Sequence, residues 1–230
     1  LGCSGYVYGL SLVKGLIESG QARRVLLLTA ETYSKFIHPG DRSVRTIFGD
    51  GGSASLVSAS EADGGMGSFV FGTDGSGHKN LIVPTSGLRE PRTAETAKTT
   101  VDASGNTRSH DNLFMNGSEV FTFTLREVPK AVSALLAKSG DTIETVDLFV
   151  FHQANTFMLE HLRKKMKVPT EKFYIAMRDV GNTVSSTIPI ALKHALDAGR
   201  LKAGDRVVLV GFGVGYSWAG CVLTWGSAQQ

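Results

Sequence analysis

Cys3 stands in Leu1-Gly-Cys-Ser-Gly5, directly before a stretch with apolar residues at Val7, Leu10, Val13, Leu16 and Ile17, the spacing of one helix face. A cysteine at a helix N-terminus meets the positive end of the dipole and free N–H groups, which favour the thiolate, the nucleophilic form. A free cysteine is more commonly a small buried hydrophobe. The glycine-flanked turn puts the two readings of Cys3 level, whereas Cys221, between Gly220 and Val222 in an apolar run, fits burial. His152 closes the run Phe149-Val-Phe and precedes Gln-Ala-Asn155 and a predicted helix. Strand ends of this kind are where α/β sheets place catalytic groups. His38, His78, His110, His161 and His194 have no comparable setting. Asn182 sits in Val180-Gly-Asn-Thr, a glycine turn opening a further helix, where an N-cap is the ordinary role. Taken together, Cys, His and Asn are a set for nucleophilic acyl chemistry, and a papain-like hydrolase is one use of it.

The elements that must hold these residues follow from periodicity. A helix is predicted over Tyr6–Ser19, stopped by Gly20, then a strand over Arg23–Ala30 whose continuous apolar run suits a central strand buried on both faces. Strands follow at Ser53–Ala59 and Met66–Thr73. From Thr85 to His110 the chain turns polar and is expected to be a surface insertion that contributes little core. A helix over Asn116–Lys138 carries Pro129 as a possible kink, and a strand is expected at Val146–Phe151. Helices near Thr156–Lys167 and Thr183–Ala198 precede strands at Arg206–Gly211 and Trp218–Trp225. Helix, glycine, basic residue and apolar strand recur at Ser19–Leu28 and Ala198–Val210, an echo that argues for a duplicated α/β layer structure.

Composition excludes several classes. Hydrophobic residues make up 42% and charged residues 20%, enough for a sizeable core and far from disorder. The net charge of +3 is too small for a broad nucleic-acid-binding face. Two cysteines without clustered histidines indicate neither a disulfide scaffold nor a metal site, and a reducing cytoplasmic setting is expected. No apolar run has the length of a membrane span, and no signal peptide is recognisable. With only Leu1 and Gly2 ahead of Cys3, the strand expected to carry it is absent. The chain is therefore expected to be the later part of a longer polypeptide or one of two companion chains.

Five motifs, Gly2-Cys-Ser-Gly5, Asp41-Arg42 with Phe48-Gly-Asp-Gly51, His152-Gln-Ala-Asn155, Gly181-Asn-Thr183 and Gly211-Phe-Gly-Val-Gly215, resemble β-ketoacyl-acyl-carrier-protein synthase III in its own order along nearly the whole chain. The resemblance implies an α/β thiolase-like fold of the condensing-enzyme superfamily, two duplicated halves in an αβαβα arrangement, with the first strands missing from this chain. It divides the sequence into 1–84, the remainder of an N-terminal half starting at the nucleophile; 85–110, the polar surface insertion; and 111–230, the C-terminal half. It also implies a homodimer and a place in fatty acid biosynthesis or a related lipid or secondary pathway.

By residue match the resemblance makes Cys3 the acyl-accepting nucleophile and His152 and Asn182 its partners, donating to the oxygen of an enolate formed by decarboxylation of a malonyl thioester. The backbone N–H groups of Cys3 and Val214 would form the oxyanion hole, with Val214 standing where three consecutive glycines are commonest. Arg42, Phe212 and Asn155 are implied as substrate-binding, Arg42 against the nucleotide end of coenzyme A. Lys164 and Lys165 match positions for docking acidic carrier protein, while the arginine expected five residues after the histidine is Phe157. The implied partners are acyl-CoA and malonyl-acyl carrier protein, with no resident cofactor, metal, nucleic acid or membrane. Two rivals stand beside this condensation: transfer of the acyl group from Cys3 to another acceptor, and a non-catalytic half of a paired synthase.

Overall fold

The computed structural model describes residues 1–60 and 65–226. Helix α1 (Gly5–Glu18) turns Tyr6, Val7, Leu10 and Val13 inward, and Gly20, at φ 73°, stops it. Strand β1 (Arg24–Glu31), the short helix α2 (Arg42–Arg45), β2 (Gly51–Ser58), β3 (Gly65–Thr73) and β4 (Leu81–Ile82) follow. Then come a small hairpin of β5 (Thr100–Val101) and β6 (Thr107–Arg108), β7 (Phe114–Met115) and the long helix α3 (Gly117–Ser139). Asn116 caps α3 through the Glu119 N–H, Gly140 closes it in the left-handed region, and Pro129 does not end it. The chain finishes with β8 (Leu148–Phe151), α4 (Thr156–Lys165), β9 (Phe173–Tyr174), α5 (Thr187–Asp197), β10 (Arg206–Gly213) and β11 (Ser217–Thr224).

Five strands form a mixed sheet in the order β3-β11-β10-β8-β9, in which β10, β8 and β9 run parallel and β11 pairs antiparallel with both β10 and β3. Every residue of β8 is buried, as its unbroken apolar run requires of a strand covered on both faces. On one face Val128, Val132 and Leu135 of α3 and Leu159 and Leu162 of α4 close over Phe149, Phe151, Val208 and Val210. On the other, Val7 and Leu10 of α1 and Ile188 and Leu192 of α5 pack on Leu148, Val150, Val207 and Leu209. Leu27 of β1 and Val57 of β2 join that second core from the far side. The described residues therefore stack as helix, sheet, helix, sheet, with α1 and α5, the helices of the sequence echo, sharing the inner helical layer.

Three expectations change here. Strand β1 is not buried on both faces: among the described residues it pairs only with β2, and the two strands alternate between the inner core and solvent, so that Leu26, Leu28 and Leu56 are more than half exposed. Strand β3, assigned by sequence to the 1–84 segment, pairs with β11 in the sheet of the later half, because its strand register continues that sheet's edge. The polar stretch 85–110 is mostly exposed but does more than coat the surface. Thr107 N–H donates to the Gly40 carbonyl, and Arg108 pairs with buried Asp41 at 2.7 Å and with Asp102 at 2.5 Å.

That ion pair is a stability prediction. Asp41 caps α2 by accepting from Ser43 N–H and hydroxyl on Oδ1, which leaves Oδ2 to Arg108. Arg108→Gln strands one oxygen of a fully buried carboxylate, so the protein is expected to lose about 1–3 kcal/mol. Denaturant melts measure the loss, and limited proteolysis is expected to cut first near the β5–β6 hairpin.

Candidate active site

Cys3 lies one residue before Ser4, the N-cap of α1, and is 3% exposed. Two glycines of β10 make room for it. A Cβ on Gly213 would stand 2.7 Å from the Cys3 Cβ and 2.8 Å from its sulfur, and one on Gly211 would stand 2.8 Å from the Cys3 carbonyl oxygen. The helix end does not make the resting cysteine a thiolate: burial dominates and pushes the thiol up to about 12, with a smaller push from the Glu31 carboxylate. The backbone N–H groups of Val214 and of Cys3 itself face the sulfur and pull the other way. These are the two donors expected from sequence, brought to one atom. Val214 needs no left-handed backbone, and its side chain fits against Gly2, where a Cβ would come within 3.0 Å of it.

His152 leaves the end of β8 and is 2% exposed. Its Nδ1 lies 2.7 Å from the Thr187 hydroxyl, and the Phe212 ring stands edge-on to the imidazole at 5.4 Å. Burial holds its pKa down at about 3, so the ring is neutral. Gln153 beside it spans from β8 to the segment just after β9, donating to the Phe151 carbonyl and accepting from Ala176 N–H. Asn155 caps α4 by accepting from Met158 N–H at 2.8 Å.

Asn182 is gripped through its backbone by Ile47–Gly49: its N–H donates to the Ile47 carbonyl and its carbonyl accepts from Gly49 N–H. Gly49 is required there, because a Cβ would lie 2.1 Å from the Val180 carbonyl oxygen, and Gly181 turns the chain at φ 65°. Two motifs distant in sequence, Phe48-Gly-Asp-Gly51 and Gly181-Asn-Thr183, are thus one unit. The Asn182 Oδ1 accepts from Val184 N–H at 2.9 Å, which turns the amide NH₂ the other way. Val184 holds φ 57°, a conformation that costs a β-branched residue about 1–3 kcal/mol.

Cys3, His152, Asn182, Phe212 and Asn155 all line one cavity of about 360 Å³, together with Phe121 and Phe157. Ile47, Leu81, Met115 and Met158 make its walls mostly apolar, the lining of a site for an acyl chain or a thioester arm. A more open groove of about 660 Å³ between β3 and α3 is lined by neither Cys3, His152 nor Asn182. No group of three or more His, Cys, Asp or Glu suited to a metal occurs among the described residues.

Comparison with known proteins identifies the frame. Residues 1–75 match the 3-oxoacyl-[acyl-carrier-protein] synthase III family and residues 136–225 the C-terminal region of the same family. A crystal structure of a 3-oxoacyl-(acyl-carrier-protein) synthase III superposes with a TM-score of 0.96 at 58% identity, covering 98% of this chain and 67% of that one. The chain belongs to the β-ketoacyl-acyl-carrier-protein synthase III family. The synthase III of Thermus thermophilus superposes at 0.85 with 39% identity, over 99% of this chain and 67% of that one. The synthases III of Caldanaerobacter subterraneus and Deinococcus deserti are 37% and 38% identical over 98% and 99% of this chain. The chain spans 65% and 62% of their lengths. The α/β fold is the thiolase-like fold of the synthase III family, as the motifs implied.

Within this synthase III frame Arg42, Lys164 and Lys165 lie apart from the cavity. Arg42 opens α2 with an exposed side chain, and its N–H donates to Asn106. Lys164 and Lys165 are exposed in the last turn of α4, at the far end of the helix from Asn155. Phe157, which lines the cavity, is 65% exposed, stacks on Phe121 and meets His161 at a tilt. Sequence reasoning missed Val184 and Thr187, although the run Ser185-Ser-Thr187 after the Asn182 turn is a hydroxyl-rich signal for side-chain to backbone bonding. Gly213→Ala is expected to slow covalent capture at Cys3 by about 10²-fold, since its methyl group displaces the sulfur from the two N–H donors. Rates of adduct formation by mass spectrometry check it, measured at a temperature where circular dichroism shows the variant folded.

Proposed function

We propose that the protein is an acyltransferase that performs a decarboxylative Claisen condensation through acyl-Cys3. An acyl-CoA primer donates its acyl group to Cys3, and malonyl-acyl carrier protein then loses carbon dioxide to give the carbon nucleophile that attacks acyl-Cys3. The product is a β-ketoacyl thioester. The observation that carries this reading is the meeting of Cys3, His152 and Asn182 on one mostly apolar cavity, with the Val214 and Cys3 N–H groups at the sulfur. On this reading those two N–H groups, which face the sulfur, also serve the tetrahedral oxygen that forms at each acyl transfer. The thiol carries the acyl group and fixed donors carry the charge, so the reading calls for no resident cofactor.

Arg42 serves the nucleotide end of the donor by pairing with phosphate, and Lys164 and Lys165 attract the acidic carrier protein, with Phe157 supplying an apolar contact where an arginine is expected. The working enzyme is a homodimer in the cytoplasm. The test is mass spectrometry of the protein after incubation with a panel of acyl-CoA thioesters, followed by malonyl-carrier and measurement of released carbon dioxide. An acyl mass on Cys3 that disappears with release of carbon dioxide is the expected result. Acyl-Cys3 that persists with no carbon dioxide released would assign the acyl group to another acceptor. Absence of any adduct would overturn the reading.

A further inference from the structure

We propose that Asn106 and Arg108 of the β5–β6 hairpin are positioning residues that hold Arg42 in place for the nucleotide phosphates of the acyl-CoA donor, so that the hairpin sets a preference for coenzyme A over a thioester without a nucleotide. The inference rests on the role proposed for Arg42 above and adds to it two residues that lie outside the cavity.

The hairpin grips the turn that leads into α2. Thr107 N–H donates to the Gly40 carbonyl at 3.1 Å, and a Cβ on Gly40 would stand 2.9 Å from the Thr107 Cβ, so the two segments are in close contact. Arg42 N–H belongs to the first turn of α2, where no intrahelical acceptor exists, and it donates to Asn106 Oδ1 at 3.2 Å. The Asn106 amide has only one orientation that serves its neighbours. Arg42 N–H can only donate and the Asp102 carboxylate can only accept, so Oδ1 faces Arg42 and Nδ2 donates to Asp102 Oδ2 at 3.3 Å. Asp102 is held below the usual carboxylate range, first by the Asn106 N–H at 2.9 Å, and so stays an acceptor. Arg108 joins the two acidic residues, pairing one guanidinium nitrogen with Asp41 Oδ2 and the other with Asp102 Oδ2.

This framework leaves the Arg42 side chain free. Asp41 commits Oδ1 to Ser43 and Oδ2 to Arg108, and Asp102 is engaged by Asn106 and Arg108, so neither carboxylate is left to pair with the Arg42 guanidinium. Arg45, the other arginine of α2, donates from Nη1 to the Pro39 carbonyl at 3.0 Å. The Arg42 guanidinium, by contrast, is exposed and makes no hydrogen bond or ion pair among the described residues. Its backbone is engaged on both sides, the N–H by Asn106 and the carbonyl by the Thr46 hydroxyl at 2.9 Å. An arginine with a fixed backbone and a free planar fork is suited to a phosphate group. Fixing it beforehand lowers the ordering cost that binding would otherwise carry. Loosening the hairpin therefore weakens the nucleotide contact, whereas a thioester arm without a nucleotide offers Arg42 no phosphate of that kind.

The test is calorimetric titration of coenzyme A into the wild-type protein, Asn106→Ala, Arg42→Ala and the double variant, each shown by circular dichroism to be folded. Asn106→Ala should raise the Kd for coenzyme A by about tenfold. In the acylation of Cys3 the same variant should lose about tenfold of its preference for acyl-CoA over acyl-pantetheine, through KM and not through kcat. On the Arg42→Ala background, Asn106→Ala should change the Kd by less than about twofold, because the residue it positions is gone. An equal loss with and without Arg42 would overturn the inference, as would unchanged coenzyme A binding in Asn106→Ala. Arg108→Gln should weaken binding at least as much, and Arg108→Lys, which keeps a cation between the two carboxylates, should recover part of the loss. If Arg108→Gln fails to fold, the cycle between Asn106 and Arg42 still decides. Arg42→Ala that binds coenzyme A as tightly as the wild type would remove the role proposed for Arg42 and this inference with it; weaker binding in Arg42→Ala but not in Asn106→Ala would remove this inference alone. Because binding is read without turnover, failure of the proposed condensation would leave the cycle standing.

Discussion

Cys3→Ala is expected to abolish covalent acyl capture while leaving a folded protein that still releases carbon dioxide from a malonyl thioester. The substitution removes one sulfur from a position packed against Gly213 and Gly211, and the neighbouring backbone is held by the α1 and β10 hydrogen bonds, not by the thiol. The Asn182 amide remains oriented by Val184, so decarboxylation loses none of its donors. Overall turnover should fall by the order of 10³–10⁶-fold, the scale seen when a nucleophile is removed from a constellation that keeps its oxyanion donors. The adduct mass, the carbon dioxide yield and the condensation product are measured side by side; an acyl mass in Cys3→Ala would move the nucleophile elsewhere. In the wild-type protein a small alkylating agent is expected to react slowly at neutral pH, because a thiol held up to about 12 offers little thiolate. The same burial costs stability on the alkaline side. The folded thiol titrates above the unfolded one, so its contribution is complete below about pH 9 and is lost as the pH rises beyond it.

Much of this was readable where the chain repeats a simple pattern. The helix face of α1, the unbroken apolar run of β8 and the glycine stop at Gly20 each follow from local spacing, and the structure places all three within a residue or two of expectation. The meeting of Cys3 and Asn182 with their neighbours leaves a record in close packing: a cysteine that touches Gly213 and an asparagine held against Gly49 need glycines that a sequence displays. Charge state was not readable. The helix terminus pointed to a thiolate, but burial outweighs a dipole that acts over a single turn. Partnership across the fold was equally hidden. Nothing in Gly65–Thr73 says that it pairs with β11, and Arg108 and Asp41, 67 residues apart, meet only when the insertion folds back. Val184 shows the limit most clearly, since a valine at φ 57° is the last residue that propensity would place in a left-handed turn. Tertiary packing imposes that conformation, and the Asn182 amide takes its orientation from the Val184 N–H.

The neutrality of His152 that this packing enforces should make the fold sensitive to acid. In the unfolded chain the imidazole takes up a proton near pH 6.5, whereas burial holds the folded ring at about 3. Between those values the unfolded state binds more protons than the folded one, so stability falls as pH falls, by up to about 1.4 kcal/mol per pH unit. Going from pH 7 to pH 4 should therefore remove about 3 kcal/mol, a large part of the margin of an ordinary domain. The carboxylates whose pKa lies below the usual range, among them Asp141 beside Arg206, lose their contribution lower still, near and below pH 4. The two effects separate in His152→Gln, whose amide can keep a hydrogen bond to Thr187 without titrating. Its stability should be nearly flat between pH 7 and pH 5, where the wild-type protein already declines. Chemical denaturation at closely spaced pH values measures both slopes, and identical profiles for the two proteins would show that His152 is not the buried group that charges on unfolding.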